Sequence, residues 1–363
     1  MRKNWNWLRK TFPLLTFGVI LLATFCLTEG KQVPARRTAA EPAPVSSGSA
    51  EKEQFIHYVE FNVPYQALKK SMDLDIASHR SGGSLSWVDI LACLAAKYGG
   101  EWSRYKSADM DVFAKRLPEE GVDAVTENMK YFSYYREAYG AVLNGLLGEY
   151  RENGSTQYGL TAFSPIAKGF PYSGFDDFGV QRTYGYTRPH LGHDMMAATG
   201  TPVVAVESGV VEALGWNQYG GWRIGIRSFD AKRYYYYAHL RRNRPYAAGL
   251  AIGTTVQAGD VIGYVGRTGY SQHENVNNIT VSHLHFGLEL IFDESQKESN
   301  NEIWVNVYPL TQLLRQHQSA VTRDDATKEY TRTSRIELLE PAMRRVDFAF
   351  GLCYNPNVLF PLR

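Results

Sequence analysis

Between residues 188 and 290 the chain consists of short segments rich in β-branched and aromatic residues, separated by stretches that contain glycine. These segments are 201–206, 209–214, 222–228, 234–238, 261–265 and 282–290. No stretch with helical periodicity lies between them. Because consecutive strands without intervening helices pair as antiparallel neighbours, the pattern predicts an antiparallel sheet or barrel.

Three short motifs within this region hold five of the nine histidines of the chain. They are R-P-H-L-G-H-D at 188–194, Y-A-H-L at 237–240 and S-H-L-H-F at 282–286. Side chains two apart in a strand point to the same face, so His283 and His285 can face one cleft. His190 and Asp194, four apart, can do the same. Three of these four side chains and one open position would make a catalytic zinc site.

The other histidines of the motifs have a chemical use of their own. A zinc site of three protein ligands leaves at least one histidine spare, and His239 is a second. Histidines beside a catalytic zinc ion serve as general bases or as donors to an oxyanion. Zinc also lowers the pKa of water to near neutrality, as amide hydrolysis requires. The three motifs therefore predict a zinc hydrolase.

In their order and spacing, the motifs resemble those of the lysostaphin/LytM-type zinc endopeptidases of bacterial cell walls. The resemblance covers about residues 160–316 and includes Gly192 and the glycine-rich stretch 256–269. It implies a lipoyl/biotinyl-like half-barrel and peptidoglycan stem peptides or cross-bridges as the substrate. It also implies the following roles: one zinc ion held by His190, Asp194 and His285, with His239 and His283 as the catalytic histidines.

A catalytically silent adaptor of the same fold is the alternative function. Such a protein would activate other cell-wall hydrolases or scaffold a division or sporulation complex. Adaptors of this kind usually lose ligands, whereas all five positions are filled here. The sequence therefore favours the enzyme.

Several polar residues near or outside the motifs are predicted to have no catalytic role. They are His57, His79, His273 and His317 outside the motifs, together with His193 and Ser282 within them. A strand would turn His193 away from the ligand pair. Glu289 has two interpretations: an outer hydrogen-bond partner of a ligand imidazole, or a solvated strand residue.

Residues 1–30 predict an attachment to a membrane. Arg2, Lys3, Arg9 and Lys10 precede an apolar run at 12–27. The run is slightly shorter than a spanning helix of about 20 residues and longer than most signal-peptide cores. The positive charge before the run places the N-terminus in the cytoplasm. We expect a single-pass anchor in the cell membrane with the catalytic domain outside the cytoplasm, or secretion after signal cleavage.

The rest of the chain predicts an α+β protein. Residues 31–54 form a disordered linker, because proline, alanine, serine and charge cannot bury enough surface to fold. Residues 55–155 form a helical domain, with a capping box S-W-V-D at 86–89, a glycine stop at 99–100 and a second helix at about 125–150. Residues 156–317 form the peptidase domain and end in a short helix within 306–314. Residues 318–363 are a tail of unknown role.

Charge and cysteine content limit the partners of the chain. The formal net charge is only +2, which argues against nucleic acid as a partner. Three cysteines imply no disulfide framework. The expected partners are a peptidoglycan peptide as substrate, the membrane through the N-terminal helix and, for the helical domain, a possible protein partner.

Overall fold

The computed structural model describes residues 55–152, 154–297, 299–333 and 336–338. The predicted membrane anchor at 1–30 and the linker at 31–54 lie outside these residues, as does most of the predicted tail. Within the described ranges, no helix is both long enough and apolar enough to cross a bilayer.

Five helices occupy the first part of the described chain. They are α1 Tyr65–Arg80, α2 Trp87–Tyr98, α3 Ser107–Glu120, α4 Val122–Thr126 and α5 Phe132–Leu143. The central helix α2 begins as predicted at Ser86, whose hydroxyl accepts the N–H of Asp89 at 3.4 Å. It ends as predicted at Gly99, which adopts a left-handed φ of 65°.

The helix predicted at about 125–150 is wrong in its length. Helix α5 ends at Leu143, and a strand begins at Leu147. Gly145 lies between them with a φ of 83°, a conformation that breaks a helix. At the other end, Tyr131 precedes α5 with a φ of 66° and separates it from α4.

Sixteen strands and a sixth helix make up the rest of the described chain. The strands are β1 Leu147–Glu152, β2 Ser155–Leu160, β3 Gln181–Tyr184, β4 Tyr186–Pro189, β5 His193–Met196, β6 Pro202–Val204, β7 Gly209–Asn217, β8 Gly221–Ser228, β9 Arg233–Ala238, β10 Thr255–Val256, β11 Val261–Tyr264, β12 His283–Leu290, β13 Ile303–Trp304, β14 Val321–Arg323, β15 Tyr330–Arg332 and β16 Glu337–Leu338. The sixth helix, α6 Tyr308–Leu314, is the short helix predicted within 306–314.

The named strands pair antiparallel throughout the described residues. The largest sheet among them has seven strands in the order β10-β7-β8-β9-β12-β13, and β5 also pairs with β12. Each of the six predicted strand segments corresponds to a strand of the structure. The predicted α+β class, with helices followed by an antiparallel sheet, is confirmed.

Part of the region predicted as a tail returns to the body of the protein. Strands β14 and β15 form a hairpin, and β16 pairs with β1 through Arg151 and Glu337. The side chains of these two residues also form an ion pair of 3.2 Å. Strand β16 therefore adds a third strand to the sheet that β1 and β2 form after the helices.

A buried ion pair joins the helices to the large sheet. Arg233 of β9 is 1% exposed and donates Nε to Glu207 at 2.7 Å and Nη1 to the carbonyl of Ala141 in α5 at 3.0 Å. The hydroxyl of Tyr235 also donates to Glu207, at 2.6 Å. Burial alone would lower the pKa of Arg233, but the negative charges of Glu207 and Asp230 raise it by a larger amount. The pKa therefore lies above its usual value, and the guanidinium stays charged. Helices and sheet therefore share one hydrophobic core, fixed by this pair.

We expect Arg233→Met to lower the free energy of unfolding by about 3–5 kcal/mol, because it leaves the carboxylate of Glu207 without its charge partner. Chemical denaturation of the full-length protein measures the change. The control is Arg242→Met, at an exposed arginine, which should leave the free energy nearly unchanged. Equal stability of the two variants would contradict the role given to Arg233.

Candidate metal centre

The three histidine motifs meet because β12 lies between β5 and β9. His285 of β12 stands opposite Asp194 of β5 on one side and opposite Ala238 of β9 on the other. His239 directly follows β9, and His190 lies just before β5. Backbone pairing alone therefore places all three motifs side by side.

Three side chains point a donor atom at a common position. Nε2 of His190 lies 2.9 Å from Oδ1 of Asp194 and 3.0 Å from Nδ1 of His285. Nδ1 of His285 lies 2.9 Å from the same carboxylate oxygen. These three residues form the group in the described chain whose donor atoms converge as metal ligands do. They are the three residues predicted as ligands.

Hydrogen bonding does not account for this triangle. If each imidazole donated a proton to Asp194, two N–H groups would face each other across 3.0 Å. A cation would satisfy all three lone pairs at once. Two imidazole nitrogens and one carboxylate oxygen suit zinc, whose bonds of about 2.0–2.2 Å place tetrahedral donors roughly 3.3 Å apart. The donor set therefore fits a zinc ion with an open fourth position.

The charges of the centre also favour a cation. Burial raises the pKa of Asp194, but the contacts with His190 and His285 lower it well below its usual range, so the carboxylate is ionised. Burial lowers the pKa of His285, which keeps its imidazole neutral and able to offer a lone pair. Burial lowers the pKa of His190 as well, but Asp194 and Asp177 raise it overall.

Asp177 contacts the candidate ligand His190, a contact that was not predicted from the sequence. Nδ1 of His190 lies 3.3 Å from the carbonyl oxygen of Asp177 and 3.1 Å from its Oδ1, so its proton points away from the metal position. Arg182 contacts the carboxylates of both Asp177 and Asp194.

We expect Asp177→Ala to weaken zinc affinity by up to about 10-fold, because the carboxylate 3.1 Å from Nδ1 of His190 is lost while the main-chain carbonyl that accepts the hydrogen bond of this ring remains. Competition with a chromophoric chelator measures the affinity. The control is Asp176→Ala, at the neighbouring exposed carboxylate, which binds Asn306 at 3.1 Å instead. Unchanged affinity in the Asp177 variant would contradict the orienting role.

Gly192 lets the chain pass beside the ring of His285. A Cβ atom at this position would lie 2.7 Å from Cε1 of His285 and 2.7 Å from the carbonyl oxygen of Phe286. Neither atom can move away easily, because one belongs to a ligand ring and the other to the central strand. The glycine in the first motif is therefore a steric requirement of the centre.

We expect Gly192→Ala to reduce the bound zinc and to lower the melting temperature, because the new methyl group displaces His285. Elemental analysis and thermal denaturation provide the two readouts. The matched control is Gly148→Ala, where the nearest atom to the new Cβ would be 3.6 Å away. Full zinc occupancy in the Gly192→Ala variant would contradict the steric requirement, because it would show that the ring of His285 can move without loss of zinc.

A backbone carbonyl orients the imidazole ring of each predicted catalytic histidine. Nδ1 of His239 lies 3.0 Å from the carbonyl of Thr268, and Nδ1 of His283 lies 2.8 Å from that of Val281. Donation from Nδ1 leaves the Nε2 lone pair of each ring available. The two ring centroids are 4.8 Å apart. His239 adopts a left-handed φ of 61°, held by an N–H bond to Gly220 of 2.7 Å.

The centre leaves out the histidines that were predicted to have no role. His193 lies on the other face of β5, where Nδ1 contacts the hydroxyl of Thr311 at 2.8 Å. His57, His79, His273 and His317 lie outside the metal-ligand group of the described residues. The hydroxyl of Ser282 donates to the carbonyl of Ala197. Glu289 is 3% exposed, so its interpretation as a solvated residue is wrong.

A cleft of about 400 Å³ lies beside the centre. Its walls include His190, Asp194, His239 and His285, together with several arginine and tyrosine side chains. Burial lowers the pKa of His239 well below its ordinary value, so this imidazole is neutral at physiological pH. The cleft therefore combines a cation site with a neutral base.

Two histidines and one aspartate at the edge of such a cleft are a donor set typical of hydrolytic zinc sites. Residues 188–300 match Peptidase family M23, and the chain carries a domain of this family. The match contains all five predicted site residues.

The chain is 34% identical over 193 residues to the L-Ala--D-Glu endopeptidase of Bacillus subtilis (strain 168). The aligned residues cover 52% of this chain and 57% of that protein. It is 38% identical over 98 residues to lysostaphin of Staphylococcus simulans, 27% of this chain and 17% of that protein. A solved structure of a candidate glycyl-glycine endopeptidase, lytM, from Ruminococcus gnavus is 25% identical, covers 70% of this chain and 87% of its own, and has a TM-score of 0.47. The chain thus spans less than two thirds of either curated relative.

Proposed function

We propose that this protein is a zinc endopeptidase that hydrolyses peptide bonds of peptidoglycan, in stem peptides or cross-bridges. The convergence of His190, Asp194 and His285 beside two further histidines in an M23 domain carries the proposal. The Bacillus subtilis relative, an L-Ala--D-Glu endopeptidase, supports the substrate class, because peptides that contain D-glutamate are characteristic of bacterial walls.

His190, Asp194 and His285 would hold the zinc ion. When bound, zinc polarises the scissile carbonyl and lowers the pKa of water. Asp177 holds the proton of His190 on Nδ1 and keeps Nε2 for the metal. Because Gly192 has no side chain, the ring of His285 has room to lie beside Asp194.

His239 and His283 would carry the protons of the reaction. Burial keeps His239 neutral, so its Nε2 can take a proton from the attacking water. Nδ1 of each ring stays bound to a backbone carbonyl, of Thr268 for His239 and of Val281 for His283. A proton on Nε2 then makes either ring a donor to the oxyanion or to the departing amine. The fixed rings need little reorganisation for this exchange.

We also propose that the domain acts outside the cytoplasm, as a membrane-anchored or secreted protein. Basic residues before the apolar run at 12–27 support this orientation. Protease added to intact wall-free cells should digest the domain, whereas protection from the protease would contradict the proposed location.

The full-length protein should contain zinc and should release new amino groups from purified peptidoglycan, and a chelator should abolish the release. Elemental analysis and amino-group titration measure these properties. Zinc without release would support the catalytically silent adaptor instead. Absence of zinc would contradict the assignment of the three ligands.

Two variants separate metal binding from proton transfer. We expect His285→Ala to lose both zinc and activity. We expect His239→Asn to keep zinc and to lose about 10²- to 10⁴-fold in kcat, because a general base is removed. Asparagine is chosen because it tolerates the left-handed backbone at this position. The control is His273→Ala, at an exposed loop histidine, which should retain activity. Full activity of the His239 variant would contradict its catalytic role.

A further inference from the structure

Two arginines in the cleft have donor groups that no protein atom uses. Arg188 and Arg223 both line the cleft beside the metal centre. Within the ranges that the structure describes, Nη1 of Arg188 and Nε of Arg223 are buried and have no hydrogen-bond partner. Neither guanidinium forms an ion pair with a carboxylate of the described chain. Within the described residues, the charge of each guanidinium is therefore not compensated by a carboxylate.

The other basic side chains of the cleft differ from these two. Arg182 contacts the carboxylates of Asp177 and Asp194, and Lys297 contacts that of Glu212. Their charges are compensated within the protein. The uncompensated positive charge of the cleft therefore belongs to the two arginines.

Tyr236 relates the arginine pair to the metal centre. Tyr236 lines the same cleft as Arg188 and Arg223. The ring of Tyr236 is centred 5.9 Å from that of the ligand His285. A group held by both arginines would therefore lie in the cleft that His285 also lines.

Aromatic rings hold Arg188 in place. Its guanidinium carbon lies 4.4 Å from the ring centroid of Tyr219, 5.4 Å from that of Tyr270 and 5.9 Å from that of Tyr186. A guanidinium that is stacked on a ring keeps its N–H groups in the plane of the fork, free for a ligand. The stacking thus fixes the position of the side chain without using its donors.

A carboxylate is the ligand that matches these features. Partly buried cations with unused donors are unfavourable unless an anion binds them. Arginine binds the planar carboxylate through two parallel N–H bonds. Glu302 lines the same cleft, but it accepts a hydrogen bond from Nε1 of Trp304 at 2.8 Å. A carboxylate of the substrate is therefore a suitable partner for the two guanidinium groups.

We propose that Arg188 and Arg223 bind a free carboxylate of the substrate peptide, on a residue next to the cleaved bond. This inference rests on the proposed peptidase function and narrows its substrate class. It selects stem peptides whose glutamate residue carries a free α-carboxylate. It disfavours uncharged segments such as glycyl bridges and stem peptides in which that carboxylate is amidated.

The test uses two peptidoglycan fragments that differ only in the α-carboxyl group of glutamate, which is free in one and amidated in the other. We expect the full-length enzyme to prefer the free acid by roughly 10- to 100-fold in kcat/KM, because the amide leaves charged donors unsatisfied. Arg188→Met and Arg223→Met should lower kcat/KM for the acid by a similar factor and lower it by less for the amide. The preference should therefore collapse.

Controls separate this effect from misfolding and from metal loss. Bound zinc and melting temperature are measured for each variant, and Arg242→Met provides an exposed arginine for comparison. Arg188→Lys keeps the charge without the bidentate fork, so its preference should be intermediate, and it replaces Arg188→Met if that variant does not fold. Equal cleavage of acid and amide by the unchanged enzyme would overturn the proposal, as would equal losses on both fragments in the variants.

A binding measurement keeps the inference apart from the proposed function. If the unchanged protein cleaves neither fragment, calorimetric titration of both fragments into it decides the question. Tighter binding of the acid, lost in Arg188→Met, would support the carboxylate site even though the peptidase function had failed. Equal or absent binding of both fragments would overturn the carboxylate site.

Discussion

The pairing of β12 with both β5 and β9 is the constraint on which the candidate metal centre depends. This strand carries His283 and His285, and its two neighbours bring Asp194 and the chain leading into His239 to the same level. A shift of one residue in either register would turn His285 to the opposite face. The apolar residues Leu284, Phe286, Leu288 and Leu290 alternate with the histidines and oppose such a shift, because it would turn polar side chains into the hydrophobic core.

Much of this arrangement could be predicted from the sequence, because alternate residues of a strand point to the same face of the sheet. The spacing of His283 and His285 and the glycine-punctuated strands predicted a common cleft, and the structure brings the three expected ligands within hydrogen-bonding distance. Helix α2 was equally predictable, since Ser86 and Gly99 mark its ends with local chemistry. The ends of a helix are determined by residues close in the sequence, and the two faces of a strand are determined by the alternation of successive side chains.

The features that were not predicted depend on contacts between distant segments. Asp177 lies in an irregular loop, and only the fold brings it to His190. The ending of α5 depends on the backbone conformation at Gly145, although the apolar residues beyond it continued a helical spacing. The pairing of β16 with β1 joins residues far apart in the chain, and the polar sequence before β16 gave no sign of it.

The contact of Arg233 with Ala141 and Glu207 has a genetic consequence. Since the helices and the sheet share a core, a substitution deep in α2 or α5 would lower the population of folded protein and so reduce the proposed hydrolytic activity. A random screen for inactive alleles would then recover many changes in the helices, remote from every group that touches substrate. The effect of such alleles would increase with growth temperature, because they act through stability. The effect of substitutions at His285 would not depend on growth temperature, because they act on the candidate metal centre.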